Sequence, residues 1–263
     1  MNTNRSVLAV VAGVALIASS GVATASSPTT TEPPPTTGAT DPSAPPVIDP
    51  GDGGVYAPTL DPANFVDVVD NPYFPLLPGS RWVYEGDSDG EAERVEVEVV
   101  DERRDIAGIS ATVVRDTVYV DGEITEDTYD WFAQDADGNV WYLGEDTHEF
   151  ENGVAVNDAG AWEHGVDGAL AGIVMPAEPT VGHAYRQEFY EGEAEDMGEI
   201  LEVAATVSLG IGEYTDVVVT QDWNPLDPEI IENKSYAPGV GLIYETHVAG
   251  GNGTVELVEF TTG

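Results

Sequence analysis

A chain of 263 residues with 41% hydrophobic residues is long enough to bury one or two cores. It sets 49 Asp and Glu against only 8 Lys and Arg, a formal net charge of −41. That field repels phosphate backbones and anionic membrane surfaces, which argues against nucleic acid as a partner and for cations or basic partners; the absence of cysteine removes disulfides, thiolate metal sites, cysteine nucleophiles and a lipid-modified N-terminal cysteine together.

Residues 1–25 read as a signal peptide. Arg5 supplies the positive start, Val7 to Ala18 is an apolar run too short to span a bilayer, and Ala23-Thr24-Ala25 is an A-x-A cleavage site, so the mature chain is expected to begin at Ser26. No later apolar stretch approaches membrane length, and the expected location is secreted, extracellular or in the cell envelope, without membrane insertion. Residues 26–54 are dense in Thr and Pro with no apolar period, as in a disordered or extended linker.

From Tyr56 onward the pattern is almost all strand. Arg94 to Val99 alternates polar and apolar with period two, the mark of a half-buried strand. Thr112 to Val120 and Glu123 to Phe132 flank Asp121-Gly122, a two-residue hairpin turn that needs positive φ. Gly138 marks a second turn before Val140-Trp141-Tyr142-Leu143, and Asn152-Gly153 and Gly251-Asn252-Gly253 are further turns. Helical periodicity is weak everywhere; Val166 to Met175 is the one stretch with room for a short helical turn.

The chain also resembles itself. Pro78-Gly79-Ser80-Arg81-Trp82 aligns with Val181-Gly182-His183-Ala184-Tyr185, Val113-Val114 with Val217-Val218, and Gly138 with its following strand aligns with Gly239 to Tyr244. The expected organisation is a first β unit over 55–150, a connecting insert over 151–180 and a second β unit over 181–263. The fold expected is all-β: two similar antiparallel units packed as a sandwich or as partly open barrels sharing one core.

Three phrases carry a resemblance: Asn71-Pro72-Tyr73-Phe74-Pro75-Leu76 with Pro78-Gly79, then Asp135-Ala136-Asp137-Gly138-Asn139-Val140-Trp141-Tyr142, then Tyr236-Ala237-Pro238-Gly239-Val240-Gly241-Leu242. Together they resemble a group of uncharacterised exported bacterial β-rich proteins. The resemblance covers most of the chain from Asn71 onward and implies a fold, not an activity.

Motifs that commit a chain to a reaction are missing. Gly108-Ile109-Ser110-Ala111-Thr112 lacks the second Gly of a nucleophile elbow, His148-Glu149 is not followed by a second His at the spacing a zinc protease needs, and no phosphate-cradling or dinucleotide fingerprint occurs. None of the four histidines is paired at ligand spacing, although His148 and His164, at the edges of the insert, stand where they can meet near Glu145 or Asp146. Asp135, Asp137 and Asn139 offer oxygens at alternate positions, as a calcium loop does; the same letters equally make a hairpin turn, and the Gly falls too early for an EF-hand. The acidic stretch Glu188 to Glu199 reads as a solvated edge, and so many acids make chance carboxylate pairs common. Trp82, Trp131, Trp141, Trp162 and Trp223 are aromatics that can line a ligand cleft, the first four being the candidate site, against the alternative that they fill the core. The reading these residues support first is a non-catalytic binding or cell-surface interaction protein with a small-molecule or cell-surface ligand. A calcium- or other cation-binding structural protein of the envelope, and a carboxylate-based hydrolase acting on carbohydrate, are the alternatives. No cofactor other than calcium is implied.

Overall fold

The computed structural model describes residues 55–263; the predicted signal peptide and linker lie outside the described residues. A short 3-10 turn (Pro62–Asn64) precedes strands β1 (Phe65–Val66), β2 (Arg81–Ser88), β3 (Glu91–Ile106), β4 (Ile109–Val120), β5 (Glu123–Asp135) and β6 (Val140–Glu151). Next come β7 (Val154–Asn157), β8 (Trp162–Glu163) and β9 (Leu170–Met175). The chain continues with β10 (Ala184–Arg186), β11 (Glu188–Phe189), β12 (Met197–Leu209), β13 (Gly212–Asn224), β14 (Asp227–Ala237), β15 (Gly241–Ala249) and β16 (Gly253–Thr261). The all-β, antiparallel expectation holds, and the helical turn allowed within Val166 to Met175 is instead mostly strand β9, whose Leu-Ala-Gly-Ile-Val-Met run pairs with β6.

The strands form one sheet in the order β10-β12-β13-β14-β15-β16-β2-β3-β4-β5-β6-β9-β11, with β1 added at β5 and β7 and β8 added at β6. The stretch 55–150 thus carries β1 to nearly the end of β6, 151–180 carries β7 to β9, and 181–263 carries β10 to β16. Local turn chemistry fixes the hairpins. Asp121 and Gly122 sit at φ of 51° and 81°, and Asn152 and Gly153 at 53° and 75°, the left-handed pair that a tight hairpin matched to strand twist requires.

The two ends of this sheet are neighbours in the chain. Strand β10 pairs with β12 and β11 pairs with β9, and only Gln187 separates β10 from β11. One short segment therefore changes partner at Gln187 and closes the sheet into a nearly complete barrel. The seam is tight: a Cβ on Gly172 of β9 would run into the backbone of Arg186 and Gln187, so only glycine admits this approach.

Cross-strand register defines the face that looks inward. Thr220 is opposite Lys234, Lys234 opposite Glu245, Glu245 opposite Val255, Val255 opposite Gly86, and Gly86 opposite Glu93. Further along the wall, Val97 faces Asp116, Asp116 faces Thr128, and Val114 faces Asp130, which faces Glu145. Partners across an antiparallel pair share a face, so these residues all line the interior. By the same register Val114 on β4 and Val218 on β13 both point inward, opposite Asp130 and Tyr236.

One part of the interior is apolar, with Trp82, Tyr84, Val95, Val97, Val99, Phe132 and Leu257 in one buried cluster joined by Phe74 and Leu76 from the segment before β2. Phe132 stacks on Tyr142 at 4.8 Å between centroids and meets Phe74 edge-on at 5.2 Å. The outer face of the first strands is covered as well: Val113, Trp131, Ala133, Trp141 and Ile173 form a second cluster, sealed by Leu60 and Phe65. The first segment is pinned there by the Tyr56 hydroxyl, which donates to the Ala171 carbonyl at 2.7 Å.

Candidate functional site

The rest of the interior is acidic. Among the described residues ten carboxylate residues are buried, namely Glu93, Asp116, Glu126, Asp130, Glu145, Glu188, Asp196, Asp222, Glu232 and Glu245, against one buried lysine, Lys234. Lys234 is the only lysine of the chain and is 0% exposed. Its Nζ stands 3.4 Å from Asp222 Oδ2 and 3.8 Å from Glu245 Oε2. Burial pulls the ammonium down, but the charges of Glu245 and Asp222 outweigh it and hold Lys234 well above its ordinary value. The carboxyls move the other way. Burial, then the charges of Glu232 and Glu126, push Glu93 up to about 8. Burial pushes Glu188 up to about 8 although the Trp162 N–H holds it back, and pushes Glu232 up to about 7 against the pull of Lys234. Glu126 and Asp130 are lifted to about 7 by burial, each partly offset by a hydrogen bond from Thr128 or Tyr142. Asp116, Glu145 and Asp196 stand well above the carboxylate range, burial first and neighbouring acids second, and burial lifts Glu245 likewise against the pull of Lys234. An isolated buried carboxylate is too costly to keep ionised, so an interior with ten acids and one lysine is largely protonated near neutrality unless a cation enters.

Some of these groups are held by hydrogen bonds. Tyr142 OH donates to Asp130 at 2.6 Å, Trp162 Nε1 donates to Glu188 at 2.6 Å, and Thr220 and Gln187 donate to the two oxygens of Asp222 at 2.7 and 3.1 Å. Others are not: Asp196 Oδ1 and Glu232 Oε1 are buried and accept no hydrogen bond among the described residues. Both lie on a recess of about 260 Å³, space open to solvent included, at the barrel seam; Gln187, Asp222, Trp223, Asn224 and Ile230 complete its lining. Gln187, the residue at which the closing segment changes partner, thus also forms part of this wall.

No family model matches the chain, and no curated protein matches it. Two solved structures are similar to it: a protein described as exported, with a YmcC-like fold, from Bacteroides fragilis, and one described as a lipoprotein from Parabacteroides distasonis. The first is 12% identical over 72% of this chain and 99% of its own, with a TM-score of 0.40; the second is 12% identical over 73% and 99%, with a TM-score of 0.41. Likeness at that level is loose, and the reading of the site rests on its geometry. Among the described residues no helix is long and apolar enough to cross a membrane.

Of the tryptophans singled out in the sequence, Trp82, Trp131, Trp141 and Trp162 are buried, and they are dispersed. Trp82 donates to the Val240 carbonyl at 2.7 Å, stacks on Phe260 and borders a separate apolar recess with Phe74, Leu76, Tyr84 and Leu242. Trp131 lies on the outer face with the Arg104 guanidinium 3.8 Å above its ring. Trp141 donates to Asp135 at 2.8 Å, and Trp162 crosses Tyr142 edge-on inside the barrel. The tryptophan at the acidic recess is Trp223.

At the loop considered for calcium, Asp135 accepts from the backbone N–H of Asp137 and of Asn139, from the Asn139 side chain and from Trp141, at 2.8 to 3.0 Å. Asn139 in turn accepts from the Ala177 N–H at 2.9 Å. The side-chain oxygens of Asp135 and Asn139 are engaged in holding the turn, and among the described residues no group of three or more acidic or histidine side chains is arranged to hold a metal. His148 stands 3.8 Å from Asp146, whereas His164 Nδ1 accepts the Ala171 N–H at 3.0 Å. Replacing Asp135 with alanine should therefore cost about 2–3 kcal/mol, about 1 kcal/mol for each of several hydrogen bonds partly recouped by water. Melts of wild type and variant in calcium and magnesium chloride at equal ionic strength should show the same loss in both salts; a loss confined to calcium would make the loop a cation site.

The stretch Glu188 to Glu199 divides in a way its sequence does not announce. Glu191 and Glu193 are exposed, as a solvated edge should be, but Glu188 and Asp196 are buried. Strand β11 carries Glu188 inward, and the Asp196 carbonyl accepts the Gln187 N–H at 2.8 Å just before β12.

Proposed function

We propose that this is an exported, non-catalytic binding protein whose ligand occupies the recess at the barrel seam. Export rests on the N-terminal sequence, and the choice of site rests on one observation: the Asp196 carboxylate lines a recess, is buried, and keeps an oxygen that accepts no hydrogen bond among the described residues, beside a buried Glu232 whose Oε1 has His247 Nε2 at 3.5 Å. Buried acceptors without partners are costly, and natural proteins retain them where something else supplies the partner. Trp223 and Ile230 give the same recess an apolar, aromatic wall. The hydrolase reading draws on Asp130 and Glu145, which face each other across β5 and β6, but neither of the two recesses described above reaches them.

The test is fluorine NMR of the protein labelled with 5-fluorotryptophan, its five resonances assigned by single Trp→Phe variants. Cocktails of small amines, neutral sugars and carboxylic acids are added in turn. The Trp223 resonance is expected to move while those of Trp131 and Trp162 stay put. A response confined to Trp82 would transfer the site to the apolar recess, and no response at Trp223 to any cocktail would overturn the proposal.

A further inference from the structure

Resting on that reading of the recess, we infer that its ligand is a primary ammonium group on an apolar stem, and that the ammonium enters by displacing a proton from one of the buried carboxyls. The step balances simply: a carboxylic acid and an alkylammonium become a carboxylate–ammonium ion pair, and one proton leaves to solvent. Three observations carry it.

The first is charge. The acids lining the recess are Asp196, Asp222 and Glu232, with Glu188 and Glu245 buried behind them, and the cationic groups facing this set are Lys234 and, beside Glu232 at 3.5 Å, His247. Burial draws the His247 imidazolium down, so Lys234 is the one permanent positive charge among five acids. The surplus is carried by protons or by an entering cation, and the phenols of Tyr185 and Tyr236, which also face this group, add no positive charge.

The second is acceptor geometry. Of the three acids that line the recess, Asp222 already receives hydrogen bonds at both oxygens and Glu232 Oε1 has His247 Nε2 at 3.5 Å, which leaves Asp196 Oδ1 as the unspent acceptor. A metal such as calcium needs six to eight oxygens in one shell, and no such group exists among the described residues. An ammonium needs only acceptors for its three N–H donors, Asp196 Oδ1 first, with the neighbouring Glu232 carboxylate and water for the others. The third is the wall: Trp223 contributes an aromatic side chain, the group a cation favours, and Ile230 an aliphatic one suited to its stem.

Calorimetry of the full chain with n-pentylamine at pH 7, in two buffers of different ionisation enthalpy, tests the inference. Saturable binding at one site is expected, with release of up to about one proton and an affinity that rises between pH 6 and pH 8. Asp196→Asn, checked for an unchanged fold by its spectrum and melt, should weaken binding at least tenfold and reduce the proton release. Trp223→Ala, at the rim, should weaken it several-fold without changing the proton count. Nα-acetyl-lysine amide as a second probe separates the sources: tighter binding than pentylamine points to a lysine side chain on a partner, weaker binding to a free amine. Equal binding of n-pentanol, or no effect of Asp196→Asn, would overturn the inference. If a neutral sugar moves the Trp223 resonance and pentylamine does not, the recess stands as a ligand site and the ammonium assignment alone falls.

Discussion

Replacing Lys234 with methionine should destabilise the folded protein by about 3–5 kcal/mol at pH 8, the cost of leaving buried carboxylates without their counter-charge. The side chain is wholly buried and packed between Asp222 and Glu245, and no second lysine exists to take its place. Methionine preserves most of the volume, so the loss reports charge rather than a cavity. Two comparisons isolate the cause. Adding Asp222→Asn to the variant should restore most of the lost stability, because a buried ion pair is worth little more than a neutral replacement although breaking one side of it is expensive. At pH 5 the single variant should lose less, because Glu245, held well above its ordinary value by burial, takes up a proton in place of the missing ammonium. Urea unfolding of the wild type, the single and the double variant at the two pH values decides it; equal losses at both, with no rescue by Asp222→Asn, would mean that Lys234 acts by packing alone.

The strand architecture was legible because its signals are local. Asp121-Gly122 and Asn152-Gly153 set positive φ and hence hairpins, and Val95, Val97 and Val99 set the inward phase of β3. The acidic interior was written in the same phase and was harder to see. Glu93 keeps step with Val95, Asp116 with Val114 and Val118, Asp130 with Phe132, and Lys234 with Tyr236, so each is an inward position by period two. In a chain with 49 acids a carboxylate is the expected surface residue, and that expectation masked the phase. A lone lysine at an inward phase was the one available signal. The recess was beyond reach for another reason. Asp222 and Glu232 face each other across β13 and β14, and Asp196 stands just before β12 beside β13, but Gln187 reaches them only because β10 and β11 close the sheet, a pairing between the two ends of the order that no local pattern encodes. Likewise Trp131 and Trp141 lie on the covered outer face, and only the segment carrying Leu60 and Phe65, which folds back over them, makes that face a second core.

The melting temperature should be higher at pH 5 than at pH 8, by about 10 °C or more, the reverse of a protein stabilised by ionised, paired carboxylates. Glu93 and Glu188 titrate in the folded protein at about 8, and Glu126, Asp130 and Glu232 at about 7, each raised first by burial. In the unfolded chain such groups titrate at about 4. Between those limits the folded state holds more protons than the unfolded state, so the free energy of unfolding falls as pH rises. The contribution is complete below the unfolded values and is lost as pH climbs through 7 to 8. A shift of one unit corresponds to about 1.4 kcal/mol, and because these carboxyls sense one another the total is smaller than five separate contributions. Exposed pairs work in the opposite sense at the acid end. Glu96 has burial working against it, but bonds from Arg81 and Arg94 hold it below its ordinary value, so its share is lost as pH falls through that lowered value, and partial exposure keeps the share small. Surface repulsion from a net charge of −41 also weakens toward acid, in the same direction as the buried groups. Salt separates the two, since 0.5 M sodium chloride screens exposed charges over a few ångströms but hardly touches buried ones. Melts across pH 5 to 8 should therefore rise together at high salt and keep most of their slope. The pair of substitutions Glu93→Gln and Glu188→Gln, which makes permanent the uncharged form these side chains hold at low pH, should flatten that slope. A melting temperature that climbs steadily from pH 5 to pH 8 would mean that the interior carboxyls are ionised in the folded state, and a cation already inside the barrel would then be needed to balance them.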